Sequence, residues 1–342
     1  MSSPHPFISG VSPPHAVAGG RLEVLGSGFE PTQAHAHRVF FGETRAQIAK
    51  VSAEAIFVIV PEGGGLVPVK VELDGAVSEG FTASVARTIA EQLHPVSNPV
   101  FDREGNLYTT FSGTRGQKLP VSVFRIDQEG NVKPFLSEVM NPTGMAFDRE
   151  GYLYISSRQE GAVYRVSPER DVELVVDELG IATGLAFDWN GILYVGDRQG
   201  TIYRIEQNGE PRSFCQLAPS VAAYHLAFDG EGNLFVTGPS LSSIDSVYRI
   251  SPDAKVEVFS TGFGRPQGLA FDADGNLYVT EALVGDSGVY RITQDGKRSC
   301  FVSGPPLAGL AFDGKGGLAL AGTSEIYQLE VDTRGTLPGT ED

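Results

Sequence analysis

Two cysteines, Cys215 and Cys300, are all that the 342-residue chain contains, too few for a disulfide framework. Basic residues are also scarce: 26 Lys and Arg stand against 42 Asp and Glu, for a net charge of −16. Without a basic footprint, neither nucleic acid nor an anionic membrane surface is expected as a partner. No apolar run approaches the roughly 18 residues that a membrane span requires, so no membrane span is expected. The first twenty residues, MSSPHPFISGVSPPHAVAGG, lack the basic n-region and apolar h-region of a signal peptide. As written, the chain reads as cytoplasmic, and a mature extracellular form trimmed of its leader would read the same. There is no G-x-S-x-G elbow, P-loop, H-E-x-x-H or C-x-x-C, which removes the usual grounds for serine-hydrolase, nucleotide or structural-zinc chemistry.

What the chain does have is repetition. The stretch Gly268–Glu281, GLAFDADGNLYVTE, has five further versions, starting at Asn98, Gly144, Gly184, His225 and Gly309. Their aspartates, Asp102, Asp148, Asp188, Asp229, Asp272 and Asp313, lie 46, 40, 41, 43 and 41 residues apart. A period of roughly 40–50 residues carrying several short strands is that of a propeller blade, which cannot bury both its faces alone. The apolar content of 41% and the 42 glycines suit a turn-rich all-β protein. The expected fold is an all-β immunoglobulin-like β-sandwich over 1–83, followed by a six-bladed β-propeller over 84–331. A polar C-terminal tail covers 332–342.

Each repeat divides into four strands. In the fifth, 268–271 is the inner strand a, 276–280 strand b, 288–292 strand c and 297–303 the outer strand d. Asp-x-x-Gly after strand a is turn chemistry, with Asp bonding the backbone ahead of it and Gly accepting positive φ. A calcium loop would need several more oxygen ligands in sequence. The uniform a–b and c–d turns fall on one face of the disc. The variable b–c loops and d–a connections fall on the other, which is the expected functional face. The sixth repeat has no good outer strand after Leu329, whereas Val85–Leu93 (VARTIAEQL) precedes the first repeat where a strand d belongs. That segment is expected to pair with 326–330 and seal the ring. Cys215 and Cys300 fall on outer strands of non-adjacent blades and read as structural thiols.

Residues 1–83 hold no copy of the repeat and read as short strands broken by Gly and Pro. The residues Ile8 to Pro13, Gly19-Gly20, Gly26 to Phe29, Val39 to Gly42 and Val60-Pro61 give this segment its character. It resembles the IPT/TIG immunoglobulin-like domain, which implies a binding or spacer module. His35 and His37 form an H-x-H pair, but the surrounding PTQAHAH reads as a solvated loop. The repeat resembles the SMP-30/gluconolactonase group of six-bladed propellers and, more loosely, NHL repeats. That resemblance implies a divalent metal at the channel mouth, held by Glu, Asn and Asp just before the second residue of strand-a motifs. The matching positions here are Ser97, Thr143, Thr183, Tyr224, Gln267 and Ala308, and none is a carboxylate. Asn98 lies one place off and Asn141 two. Neutral hydroxyls and an amide suit a hard cation poorly, so no cofactor is expected.

Other polar residues are placed on the variable face by the repeat. His94 and His225 enter strand a near the axis, Asp197 and Glu281 end strand b, and Arg158, Arg198 and Arg265 occupy neighbouring loops. A His beside a carboxylate suits general-base chemistry, while rim ion pairs and a hydrogen-bonded His225 are the structural counterpart. These features imply a non-enzymatic recognition protein that binds a small ligand, sugar-like or peptide-like, or a protein partner. The alternative is a lactonase-type hydrolase that uses a divalent metal such as Ca or Zn in a rearranged site. A purely structural module is the third reading.

Overall fold

The computed structural model describes residues 5–336 except 115, 284 and 286. Among the described residues the chain is strand and turn, with one short 3-10 segment at Pro31–Ala36, and no helix is long and apolar enough to cross a membrane. The N-terminal sandwich sets Phe7–Ser12, Arg21–Ser27, Ala55–Ile59 and Thr44–Val51 against His37–Phe41, Gly65–Leu73 and Phe81–Val85. Alternate residues point inward, so Leu22, Val24, Ile56 and Val58 meet Val39, Val69, Val71 and Ala83 in one core.

The expectation of a solvated loop at the H-x-H pair holds for His35 and fails for His37. His37 starts a strand and is 1% exposed. Its Nδ1 donates to the Gln33 carbonyl at 3.1 Å and its Nε2 accepts the Glu30 amide at 3.3 Å. The preceding 3-10 turn folds back over the ring and spends both nitrogens on the backbone.

The repeats fold into a β-propeller. Five four-stranded antiparallel sheets stand by themselves, where the sequence leads one to expect six separate blades. The strands of the fifth repeat, Pro266–Phe271, Leu277–Glu281, Gly288–Ile292 and Arg298–Ser303, make a four-strand run that continues into the sandwich as one 13-stranded sheet. The join is His15–Ala16, which lies parallel to Val302–Ser303 on one side and to Ser84–Val85 on the other. The Val17 amide donates to the Ser303 carbonyl at 2.8 Å, and the Arg21 amide to Ser303 Oγ at 2.8 Å. Val17 is buried in the same core as Val302, Leu307 and Leu310. A shared ladder and a shared core therefore hold sandwich and ring together.

Closure runs through Arg87–Ala90, which pairs antiparallel with Ile326–Glu330 in the register Arg87↔Gln328, Thr88↔Tyr327 and Ala90↔Ile326. The Leu93 amide adds a bond to the Ser324 carbonyl at 2.8 Å. The turn aspartates act as caps: Asp229 Oδ1 accepts the amides of Glu231 and Asn233 at 2.9 and 2.8 Å, and each of the other five likewise accepts the amide four residues on. The described part of the expected polar tail is docked. The Ala273 amide donates to the Arg334 carbonyl, and Gly335 bridges to Asp272. The remainder of that tail, residues 337–342, lies outside the described residues.

Aromatic rings join each repeat to the next. The strand-b rings Tyr108, Tyr154, Tyr194, Phe235 and Tyr278 meet the strand-a rings Phe147, Phe187, Phe228, Phe271 and Phe312 edge-on, with centroids 4.9 to 5.2 Å apart. Such contacts contribute roughly 0.5–1.5 kcal/mol beyond the area they bury. The sixth repeat breaks the series, with Ala319 at the strand-b position opposite Phe101.

Candidate functional site

The inner strands approach one another at the end of the axis nearest the variable loops. A Cβ on Gly144 would sit 2.3 Å from the Thr183 carbonyl oxygen, and one on Gly309 would sit 2.5 Å from that of Ser97. Only glycine tolerates such contact, which explains the motif glycine in these repeats. Asn98 replaces that glycine in the first repeat and reaches across the gap. Its Nδ2 donates to the Leu269 carbonyl at 2.9 Å, and its Oδ1 accepts the Leu310 amide at 3.1 Å.

Beyond this constriction the axis widens into a cavity of about 460 Å³. Its walls are the apolar residues that follow the motif glycine, including Met145, Leu185, Leu226, Ala227, Leu269, Ala270 and Ala311, with Phe147, Phe187, Phe228, Phe271 and Phe312 further along. It reaches the a–b turns, with Arg149, Glu150, Trp189, Asn190 and Thr336 among its lining. The main cavity therefore faces the uniform turns, whereas the sequence pointed to the variable loops.

Side chains at one motif position build half of the cavity rim. Arg103 Nη2 donates to the Arg149 carbonyl, Arg149 Nη2 to the Trp189 carbonyl, and Trp189 Nε1 to the Asp229 carbonyl, each at 2.6 Å. The same position holds Gly230, Ala273 and Gly314 in the other three repeats. Over that smaller half lies the C-terminal segment, with the Thr336 amide on the Phe271 carbonyl at 3.1 Å and Gly335 against Phe312. Sequence reading passed over Arg149 and Trp189. The visible signal was the residue after each turn aspartate, large in three copies and small in three.

Of the candidate residues, Asn98 alone lines the axial cavity. Ser97, Thr143, Thr183, Tyr224, His225 and Gln267 are buried in the wall at the narrow end. Thr183 Oγ1 donates to the Gly196 carbonyl at 2.9 Å and accepts the Tyr224 amide at 3.2 Å, while the Tyr224 hydroxyl donates to the Ala218 carbonyl. His94 is exposed and stacks on Phe111 at 5.8 Å. Arg158 Nη2 donates to the Gly113 carbonyl at 2.7 Å, and Arg198 spans the carbonyls of Ser220 and Val221 at 3.1 and 2.6 Å. Arg265 is exposed on its loop.

The two carboxylates that the sequence reading could pair with rim arginines serve the backbone instead. Asp197 Oδ1 accepts the Ile181 amide at 2.9 Å. Glu281 accepts three amides, those of Gly264 and Arg265 at 2.7 Å and Leu283 at 2.8 Å. Ser157 holds the same place in the second repeat and donates to the Met140 carbonyl at 2.7 Å. This position ties the d–a connection to the end of strand b. Replacement Glu281→Ala strands three amides and is expected to cost about 3 kcal/mol, read by urea denaturation. A rim ion pair would cost under about 1 kcal/mol.

His225 is 2% exposed, and burial pushes its pKa down to about 4 against a smaller opposing pull from a hydrogen bond with Gln267. It is a neutral imidazole sealed between the inner strands of its own and the next repeat. Burial likewise raises the Cys215 thiol to about 11, and neither cysteine is in a disulfide. The donor set at Ser97, Thr143, Thr183, Tyr224 and Gln267 does not fit a divalent metal: these groups are buried neutral oxygens, several already engaged. Among the described residues no three His, Cys, Asp or Glu side chains come together in a ligating group.

Residues 6–88 match the family model for the IPT/TIG domain. The chain is thus an all-β protein with an IPT/TIG domain and a β-propeller. A search of curated proteins gave no match. Among solved structures, a gluconolactonase from Xanthomonas campestris aligns at TM-score 0.61 and 18% identity, over 72% of this chain and 89% of its own. An auxiliary nutrient binding protein from Bacteroides thetaiotaomicron aligns at TM-score 0.58 and 12% identity, over 95% and 97%. A protein of unknown function from the same organism aligns at TM-score 0.60 and 16% identity, over 96% and 99%. The last two are similar over sandwich and ring together.

Proposed function

We propose that this chain is a non-enzymatic recognition protein that takes a small molecule into the axial cavity from the face of the a–b turns. The observation that carries the reading is the cavity itself. About 460 Å³ lies within the range of small-ligand sites, and its walls are largely apolar, with Asn98 at the narrow end and charged and polar groups gathered at the open one. An apolar or sugar-ring body would fill the channel, and a polar group would meet the rim at Arg149, Glu150 and Asn190. We count the ring as six blades, because the four-strand run of the fifth repeat has the same antiparallel order as the five separate sheets. The nutrient-binding neighbour is in keeping with this reading.

Trp189 is the one tryptophan in the chain and stands at the rim, 38% exposed. Titration of a panel of sugars, short peptides and small carboxylates is expected to give a saturable change in its emission with at least one class. Joint substitution of Ala227→Leu and Ala311→Leu narrows the channel and is expected to weaken that binding at least tenfold while the protein stays folded. No saturable member, or binding indifferent to the double substitution, removes the reading. The fold likeness to gluconolactonases supports the second reading, metal-dependent lactone hydrolysis. Turnover of a lactone that a chelator abolishes would put that reading first.

A further inference from the structure

The seam between the sixth and first repeats contains a second cavity, of about 220 Å³, with an apolar side formed by Phe101, Ile89, Leu107, Ile126 and Ala319 and a polar side that includes Asp313. The rest of the ring shows what this volume holds elsewhere. At five seams a strand-b ring lies edge-on to the next repeat's phenylalanine, as Tyr108 does to Phe147 at 5.2 Å and Tyr278 to Phe312 at 5.1 Å. Where that ring is tyrosine, its hydroxyl can turn back to the turn aspartate of its own repeat. Tyr108 donates to Asp102 Oδ2 at 3.2 Å and Tyr278 to Asp272 Oδ2 at 3.1 Å.

At the sixth seam the ring is absent while its surroundings remain. Ala319 sits fully buried at the floor, Phe101 is in place as the edge-on partner, and Ile89 stands where the outer strand supplies Phe135 or Phe301 in other repeats. Asp313 Oδ1 is taken by the amides of Lys315 and Gly317 at 2.7 and 2.8 Å. Its Oδ2, which corresponds to the tyrosine acceptor, receives no donor among the described residues.

We propose that this seam binds a free small phenol, with its ring against Phe101 and Ile89 and its hydroxyl on Asp313 Oδ2. The volume suits one ring, since an engineered apolar cavity of about 150 Å³ in another protein accepts benzene. The hydroxyl adds selectivity, because a hydrogen bond to a carboxylate is stronger than one between neutral groups. A phenylalanine-like ligand would leave the aspartate unserved.

The test uses 4-fluorophenol followed by fluorine NMR on the full chain. The wild type is expected to show a saturable shift, with fluorobenzene at least fivefold weaker. Ala319→Tyr supplies the ring internally and is expected to abolish the shift and raise the melting temperature. The Ala227→Leu/Ala311→Leu protein, altered only in the axial channel, is expected to retain it. Should Ala319→Tyr fail to fold, Ala319→Leu blocks the same floor and is read the same way. No saturable shift in the wild type, or one that survives at position 319 but vanishes on filling the channel, overturns the proposal.

Discussion

Removal of residues 1–95 is expected to unfold the ring under conditions where removal of residues 1–80 leaves it folded. The longer cut takes away Arg87–Ala90, the strand that pairs with Ile326–Glu330, together with the Leu93 amide bond. It also removes Ala90 and Leu93, 6% and 3% exposed, and uncovers the Ile326, Leu107 and Ala321 side chains packed with them. Burial of those two side chains and the lost ladder bonds sum to on the order of 5 kcal/mol. In a ring of this size that corresponds to a fall in melting temperature of about 10 °C or more. The last sheet would also be left with a bare outer edge, open to pairing with other chains.

The shorter cut has its own, smaller cost. It removes His15–Ala16 from the edge of Arg298–Ser303 and takes Val17, 1% exposed, out of the shared core. Loss of that side chain's burial amounts to about 2 kcal/mol. Calorimetry on the two truncations distinguishes the contributions. Equal melting temperatures would mean that the segment ahead of the first repeat does not latch the ring.

Between pH 6.5 and pH 4 the protein is expected to lose on the order of 3 kcal/mol through His225, whose folded pKa is pushed down to about 4 from an ordinary 6.5. A depressed histidine pKa means that the unfolded chain binds the proton first as pH falls. Stability from the neutral ring is therefore full above about 6.5, declines through the interval and levels off below about 4. His15, also lowered by burial despite Asp332 nearby, acts in the same direction. Surface aspartates such as Asp127 and Asp295, held at about 2 by local hydrogen bonds, lose their contribution only at lower pH and leave this window clear. Denaturation curves at pH 7 and pH 4.5 are expected to converge in His225→Leu relative to wild type. An undiminished pH dependence in that variant would show that the ring is not held neutral by burial.

The fold was legible where local chemistry repeats. Asp-x-x-Gly turns, alternating strands and the paired Tyr and Phe positions are short-range patterns, so periodicity alone defined the repeats. The latch at Arg87–Ala90 could be inferred from register, because every other repeat is preceded by an outer strand. The site was read less well. Asp197 and Glu281 look like free carboxylates in a line of letters, and only the returning d–a connection shows that backbone amides engage them. His37 was misread for the same reason, since the 3-10 turn that covers it leaves no period in the sequence.

By itself, then, the sequence determined the repeating strands and their turns, the N-terminal sandwich and the segment that closes the ring. The strands, turns and closing segment follow from contacts within a repeat or from the order of repeats, and the sandwich from short strands broken by Gly and Pro. The tertiary structure decided what depends on distances between repeats: the axial channel opens toward the uniform turns, the C-terminal segment crosses half of its mouth, and the sandwich extends the fifth repeat's sheet. Those features arise from how closely the inner strands approach and which outer edge is left to be paired. Residues from about forty to nearly three hundred positions apart set both, and no local pattern records them.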